Sequence, residues 1–205
     1  MKLFINTINI EDVRIIKDFD IISGINIDLS DIEALGIKDN NQILTHYNSI
    51  CNLIKKELLV NIKAKNYEDI LREVDILMSI NELITVKLPA TTDGIKAIIN
   101  LSKQKINTLC DSIMSSSQAI LAAEAGASYI NIPIINTKQS GIDSMHLISQ
   151  IVNIYNEQGY DTFILADQIS SSIELSQIAI LGADGLITNM STFLTFFKNT
   201  INIID

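Results

Sequence analysis

The 205-residue sequence is poor in the residues that build disulfide frameworks and metal sites. It has two cysteines, Cys51 and Cys110, and their spacing matches neither a disulfide scaffold nor a CxxC zinc motif. We therefore predict that both are small buried side chains, Cys51 in a helix and Cys110 in a strand. The two histidines, His46 and His146, lie in amphipathic helical segments, and no metal site and no cofactor are expected.

Basic residues and long apolar runs are also scarce. Lysine and arginine total 15 against 24 acidic residues, a formal net charge of -9, which disfavours nucleic acid as a partner. No apolar run approaches the roughly 18 residues of a membrane-spanning helix, so no membrane association is expected. The first segment, MKLFINTINI, has no apolar region typical of a signal peptide. These features predict a cytoplasmic protein.

Short β-rich runs alternate with amphipathic segments along the whole chain. In SMHLISQIVNIYNEQG, apolar residues recur at helical spacing and Gly159 follows where a left-handed helix cap is expected. Eight strands are predicted, at Lys2–Asn6, Ile22–Asn26, Leu58–Ile62, Leu83–Leu88, Ile106–Cys110, Ser128–Ile132, Thr162–Ala166 and Gly185–Thr188. This alternation favours an α/β fold, a (β/α)₈ TIM barrel formed by residues 1–205 as a single domain, with an open doubly wound sheet as the alternative.

A barrel of this class carries its active site at the carboxyl ends of the strands. Lys87 lies at such an end, in ITVKLP, where a lysine removed from water has a lowered pKa and can attack a carbonyl to form a Schiff base. A carboxylate must then move protons near the imine. Asp111 and Asp28 are the candidates, and Asp167 is a third. A structural ion pair between Lys87 and an aspartate is the alternative interpretation.

Five segments carry a resemblance to a known family: MKLFINTINIEDVR, ITVKLPATTDGIKAI, SSSQAILAAEAGASYI, MHLISQIVNIYNEQGYDTFILA and LGADGLIT. They are collinear, and the chain resembles the small transaldolase and fructose-6-phosphate aldolase family from residue 1 to about residue 198. The resemblance implies a (β/α)₈ barrel that performs Schiff-base aldol chemistry on sugar phosphates, without a cofactor. It also implies that Lys87, in VKLP, is the nucleophile.

Several positions near that lysine depart from the family pattern. The family's first strand usually reads FIDTAN with an acid/base aspartate, and here the position is Asn6. The second strand usually ends TTNPS; this chain has Asp28 for the asparagine and keeps Ser30. A glutamate or glutamine on the third strand is replaced by Asn61, and a threonine on the fifth by Asp111.

The phosphate-binding positions depart further. The arginine after the sixth strand is Asn136 here, with Lys138 two residues on, while Ser115 matches a family serine. The serine and arginine after the seventh strand are replaced by Gln168 and Ser170. Bidentate phosphate binding depends on arginine, so a substrate without phosphate is expected if the site is active.

Two hypotheses remain open. Either Asp111 or Asp28 restores the acid/base function and the protein acts on another sugar or carbonyl substrate, or the protein is a catalytically silent relative that serves as a binding or assembly scaffold. A direct contact between Lys87 and a carboxylate favours the second, because such a lysine stays protonated. Family members continue past the eighth helix with a helix that packs on a neighbouring subunit. This chain ends at FFKNTINIID, before that helix, so the size of the assembly is not predicted. The apolar segment FLTFFKNTINII nevertheless favours a homo-oligomer.

Overall fold

The computed structural model describes residues 1–37, 39–134 and 141–198. Eight parallel strands pair in sequence order, and β8 pairs with β1 to close a barrel. The strands are β1 Lys2–Asn6, β2 Gly24–Ile27, β3 Glu57–Asn61, β4 Ile84–Pro89, β5 Thr108–Asp111, β6 Tyr129–Pro133, β7 Phe163–Ile169 and β8 Gly185–Asn189. The prediction of a (β/α)₈ barrel is confirmed, and the alternative of an open sheet is wrong.

Helices follow the strands and pack on the outside of the barrel. They are α1 Ile10–Ile16, α2 Leu29–Ala34, α3 Asn40–Ile54, α4 Tyr67–Ile80, α5 Thr92–Lys103, α6 Ser116–Glu124, α7 Ser144–Gln158, α8 Ser172–Leu181 and α9 Met190–Thr195. Among the described ranges, no helix is long and apolar enough to cross a membrane.

Polar side chains cap the first turn of most helices. Asn66, Thr91 and Asp143, for example, each accept a hydrogen bond from a backbone N–H two or three residues on. Such a cap contributes about 1 kcal/mol to helix stability. The predicted left-handed cap is confirmed at Gly159 (φ 68°), and Gly182 (φ 87°) ends α8 in the same way; at both positions glycine avoids the strain of a Cβ atom.

Two of the predicted strands begin two residues later than expected, for a local reason. The backbone N–H of Ile22 donates to the carbonyl of Phe19 in a turn. Ile22 therefore contributes a buried side chain but does not take part in strand pairing. The N–H of Ile106 likewise donates to the carbonyl of Leu101 at the end of α5. The apolar side chains of both residues indicate packing against the core, but they do not show which acceptors the backbone N–H groups use.

The core has two parts. The larger part lies between the barrel and the helices. Both Cys51 and Cys110 are buried in it, and both are free, as predicted. The smaller part fills the barrel with the side chains of Phe4, Leu59, Leu109, Tyr129, Leu165 and Ile187. Burial of each such large side chain contributes roughly 1.5–3 kcal/mol. The apolar interior layer closes the barrel beneath its carboxyl end.

Candidate active site

The polar side chains of the site stand directly above the apolar interior layer. Successive strand residues point to opposite faces, so residues two apart share a face. Asn61, Asp111, Asn131 and Asp167 each follow an interior-layer residue by two positions, as Asn6 follows Phe4. Because side chains alternate with a period of two residues, the last inward-pointing residues of most strands together form one ring of carboxylates and amides.

Lys87 occupies this ring on β4 and is almost completely buried, with 2% of its surface exposed. Its Nζ donates to Asp28 Oδ1 at 2.6 Å and to Asn26 Oδ1 at 2.9 Å. Asn26 in turn donates from Nδ2 to Asn6 Oδ1 at 2.9 Å. The amine is thus held by a chain of groups from the first two strands, and its direct partner is a carboxylate.

Burial and charge act on Lys87 in opposite directions. Burial lowers the pKa of the lysine, but the carboxylates of Asp111, Asp28 and Asp167 together outweigh it, so the pKa lies above the ordinary 10.5. The resting form is the ammonium. Of the two effects weighed from the sequence, the lowered pKa of a lysine removed from water is overturned, because three acidic groups lie close to the amine, and the alternative of a lysine kept protonated by a carboxylate agrees with the structure.

A second set of contacts joins the carboxylates on the far side of the ring. The amide nitrogen of Asn131 donates to Asp111 Oδ1 at 2.7 Å and to Asp167 Oδ2 at 3.0 Å. The Asn61 amide nitrogen lies 3.4 Å from Asp111 Oδ2. The amide oxygens of Asn61 and Asn131 are buried and have no hydrogen-bond partner among the described residues. The ring holds more acceptors than donors.

Asp167 is the acidic group most altered by this environment. Burial raises the pKa of Asp167 to about 6, and the nearby Asp28 and Asp111 add to this, although Lys87 and the hydrogen bond from Asn131 oppose it. A carboxyl group with a pKa near the working pH exchanges protons readily, which suits a general acid or base.

The backbone turns sharply after two of these carboxylates. Ser112 follows Asp111 with φ of 59°, and Gln168 follows Asp167 with φ of 62°. Both are non-glycine residues in the left-handed region, which costs free energy and is concentrated at functional sites. At Gln168 the pairing of β7 with β8 is also irregular. The Ser112 turn ends β5, whereas the Gln168 residue lies within β7, and each directly follows a carboxylate of the ring.

The other predicted site residues lie apart from these contacts. Ser30 is exposed on α2, and Ser115 caps α6 by accepting a hydrogen bond from the N–H of Gln118. Gln168 is half-buried and donates its backbone N–H to Asp167 Oδ1 at 2.6 Å. Asn136 and Lys138 lie outside the described residues. The contacts among the predicted residues thus centre on Lys87, Asp28, Asp111, Asn61 and Asn6.

Sequence reasoning overlooked Asn26 and placed Asn131 only among the polar residues at the strand ends, without a specific role, although both touch the charged groups. A signal was present, because each is a polar residue inside an otherwise apolar strand, in GINI and YINIP. Burying an amide in such a strand is costly unless it finds partners, so its presence marks an interior polar contact.

Arginine is absent from the ring. The chain has two arginines, Arg14 and Arg72, and they lie on the outer helices α1 and α4 in exposed ion pairs with Glu11 and Asp69. In the part of the chain that the structure describes, no group of three or more His, Cys, Asp or Glu side chains has the arrangement of a metal site. What the ring presents is a charged lysine, three carboxylates and several amides.

The fold and the site together define the class of protein: a (β/α)₈ barrel with a buried lysine at the carboxyl end of β4. Comparison with known families makes the assignment specific. Residues 29–203 match the model of the transaldolase/fructose-6-phosphate aldolase family. The chain belongs to this family.

Individual relatives agree with the family match. A probable transaldolase of Cytophaga hutchinsonii is 35% identical over 184 residues, which cover 90% of this chain and 84% of the relative. A probable transaldolase of Flavobacterium psychrophilum is 32% identical over 204 residues, covering 100% of this chain and 94% of the relative. The resemblance inferred from the sequence motifs is confirmed.

Solved structures support the fold. A putative phosphonomutase from Burkholderia cenocepacia superposes with a TM-score of 0.71 at 12% identity, covering 95% of this chain and 89% of that one. Thiamine phosphate pyrophosphorylase from Pyrococcus furiosus gives a TM-score of 0.62 at 13% identity, covering 91% and 83%. At these identities the likeness concerns the barrel and not the chemistry.

Proposed function

We propose that the protein is a transaldolase-like enzyme that forms a Schiff base between Lys87 and a carbonyl substrate without a phosphate group. The observation that carries the proposal is the position of the Lys87 amine, at the active end of the barrel and surrounded by Asp28, Asp111 and Asp167. Membership of the transaldolase family supports the same chemistry.

The carboxylates have opposite effects on two stages of such a reaction. Attack on the carbonyl requires the neutral amine, and the raised pKa of Lys87 makes that form scarce. Once the carbinolamine has lost water, the protonated imine carries the same positive charge as the ammonium it replaces. The contact with Asp28 therefore stabilises the electron-accepting intermediate as it stabilises the resting lysine.

Carbon–carbon cleavage then needs a base for the hydroxyl group of the departing carbon. Asp111 is half-buried and has the Asn61 and Asn131 amides to fix its orientation. It takes the hydroxyl proton, the electron pair of the broken bond moves to the imine carbon and nitrogen, and an aldehyde leaves. Asp167, with a pKa of about 6, supplies a proton to the enamine that remains.

The lack of arginine in the ring supports a substrate without phosphate. Arg14 and Arg72 are on outer helices, and the carboxylates of the ring repel a phosphate dianion. Lys138 lies outside the described residues, and lysine offers a point charge in place of a bidentate contact.

A specific observation favours a second function. The direct 2.6 Å contact between Lys87 and Asp28 is the arrangement expected of a catalytically silent barrel, in which the lysine serves as an ion-pair partner. In that case the protein acts as a binding or assembly scaffold.

Borohydride trapping separates the two functions. The protein is incubated with hydroxyacetone, dihydroxyacetone, dihydroxyacetone phosphate or fructose 6-phosphate, reduced, and analysed by intact mass and peptide mapping. Lys87→Met is the test variant, and Lys63→Met, at an exposed lysine just after β3, is the matched control. We expect an adduct on Lys87 with the unphosphorylated ketones, retained in Lys63→Met and lost in Lys87→Met. Folded protein that gives no adduct with any of the four compounds favours the scaffold.

A further inference from the structure

The charges of the ring do not balance. One ammonium, that of Lys87, faces the carboxylates of Asp28, Asp111 and Asp167. Asp28 is its direct partner, whereas Asp111 and Asp167 share only the neutral amide of Asn131. Among the residues that the structure describes, the side of the ring formed by β5, β6 and β7 thus carries negative charge without a cation in direct contact.

The same side also has unused hydrogen-bond acceptors. Asn131 has 1% of its surface exposed, and its amide oxygen has no partner, like that of Asn61. The orientation of the Asn131 amide is fixed, since turning it over would place its oxygen against two carboxylates. A buried acceptor without a donor costs free energy, so these two oxygens mark a place where donors are missing.

We propose that the substrate is a carbonyl compound that carries a protonated amine, and that the amine binds beside Asp111 and the amide oxygens of Asn61 and Asn131. This inference rests on the proposed function, in which the carbonyl carbon reacts with Lys87.

An ammonium group matches both features of the site. It offers three N–H donors and no acceptor, and it brings the positive charge that the Asp111 side of the ring lacks. Asp111 retains acceptor capacity beyond its contacts with the two amides, because an ionised carboxylate has about four lone-pair positions. A neutral polyol supplies donors without charge, and a phosphate supplies acceptors and charge of the wrong sign.

The geometry of the barrel places this position within reach of one small molecule. Asn61 and Lys87 are direct register partners on neighbouring strands, and Lys87 is in register with Leu109 on β5. Adjacent strands are about 4.8 Å apart, so a chain of three or four atoms spans the distance between the Lys87 strand and its neighbours. The substrate class is therefore a short amino ketone or amino aldehyde with hydroxyl groups.

Binding of three compounds without a carbonyl group tests the charge preference independently of imine formation. Serinol, glycerol and glycerol 1-phosphate share a three-carbon skeleton and differ in charge. We expect isothermal titration at low salt to show serinol binding about tenfold more tightly than glycerol, with glycerol 1-phosphate weakest. Asp111→Asn keeps the shape of the side chain and is expected to remove about tenfold of the serinol affinity. Asp18→Asn, in the exposed turn after α1, removes the same charge elsewhere and is expected to change nothing.

Three results overturn the inference. They are glycerol 1-phosphate binding at least as tightly as serinol, serinol affinity that is unchanged in Asp111→Asn, and no serinol binding at millimolar concentrations by folded protein. Failure of the proposed function is recognised separately. If serinol binds but no adduct is trapped on Lys87, the Schiff-base mechanism is rejected and the cation site is retained. If an adduct is trapped but serinol does not bind, the cation site is rejected and the Schiff-base mechanism is retained.

Discussion

Replacing Lys87 with methionine is expected to lower the free energy of unfolding by about 3 kcal/mol at pH 7.5. The lysine is 2% exposed, and its removal leaves Asp28, Asp111 and Asp167 together without the ammonium that offsets their repulsion. Breaking a fully buried pair costs about 3–5 kcal/mol. The Asp28 side chain is 34% exposed, so solvent screening places the cost at the lower end of that range.

The pH dependence follows from the direction of the pKa shift. The pKa of Lys87 is raised in the folded state, so its stabilising contribution is complete below the unfolded value of 10.5 and is lost only as the pH rises through the folded value. At pH 7.5 the full cost of the substitution is therefore expected. The substitution also removes the lysine charge that opposes the raised pKa of Asp167, so Asp167 is expected to take up a proton as the pH falls towards 6, which reduces the cost.

The free energy of unfolding is measured by urea denaturation, monitored by circular dichroism, in a double-mutant cycle of Lys87→Met, Asp28→Asn and the double variant. Asp28→Asn removes the charge of the direct partner, so we expect it to recover about 1–2 kcal/mol in the Lys87→Met background. The reasoning is refuted if Lys87→Met is as stable as the wild type at pH 7.5, or if the two substitutions are additive.

The other predictions concern the titration of the ring and the packing of the barrel. Because the pKa of Lys87 is raised, the rate at which hydroxyacetone is trapped on Lys87 is expected to increase between pH 7 and 10, as measured by intact mass. Asp28→Asn is expected to increase this rate at pH 8. Asp167→Asn is expected to raise the free energy of unfolding by at most about 3 kcal/mol at pH 7.5 and to have little effect near pH 4. The folded pKa of Asp167, about 6, exceeds its ordinary 3.8, so the wild type loses stability as the pH rises from about 4 to 6, as denaturation at a series of pH values will measure. Gly24→Ala is expected to cost about 3 kcal/mol in urea denaturation, because its Cβ would lie 2.2 Å from the Glu57 carbonyl oxygen. Gly159→Ala, with nothing within 4 Å but φ of +68°, is the control, at about 1 kcal/mol.

Each of these has a clear contrary result. A trapping rate independent of pH means that the lysine is not held as an ammonium. If Asp167→Asn changes the free energy of unfolding equally at pH 4 and pH 7.5, the Asp167 carboxyl group does not carry an unfavourable charge at pH 7.5. An alanine at position 24 that costs no more than one at position 159 means that β2 and β3 can move apart without penalty.

The barrel could be predicted because its signals are local and repeated. Apolar runs with β-branched residues alternate with helical periodicity, and glycine marks the ends of helices such as α7 and α8. The errors fall at strand ends, where Ile22 is buried and Ile106 is half-buried, but their N–H groups bond within a turn and at a helix end. Hydrophobicity reports burial, whereas strand pairing depends on neighbours that are distant in sequence.

For the site, the sequence determined the identity of the groups. Lys87 at a strand end, the aspartates 28 and 111, and the absence of arginine near the strands were all visible in the printed residues and in the family resemblance. The sequence left the direction of the Lys87 pKa open, because burial lowers the pKa and a contact with a carboxylate raises it.

Only the tertiary structure decided the balance of charges. Closing the barrel brings residues from β2, β5 and β7 around one amine, and the sum of three carboxylates exceeds the effect of burial. It also places the Asn131 amide between Asp111 and Asp167 and leaves its oxygen without a donor. Electrostatic interactions depend on distances across the barrel, and such distances are absent from the order of residues along the chain.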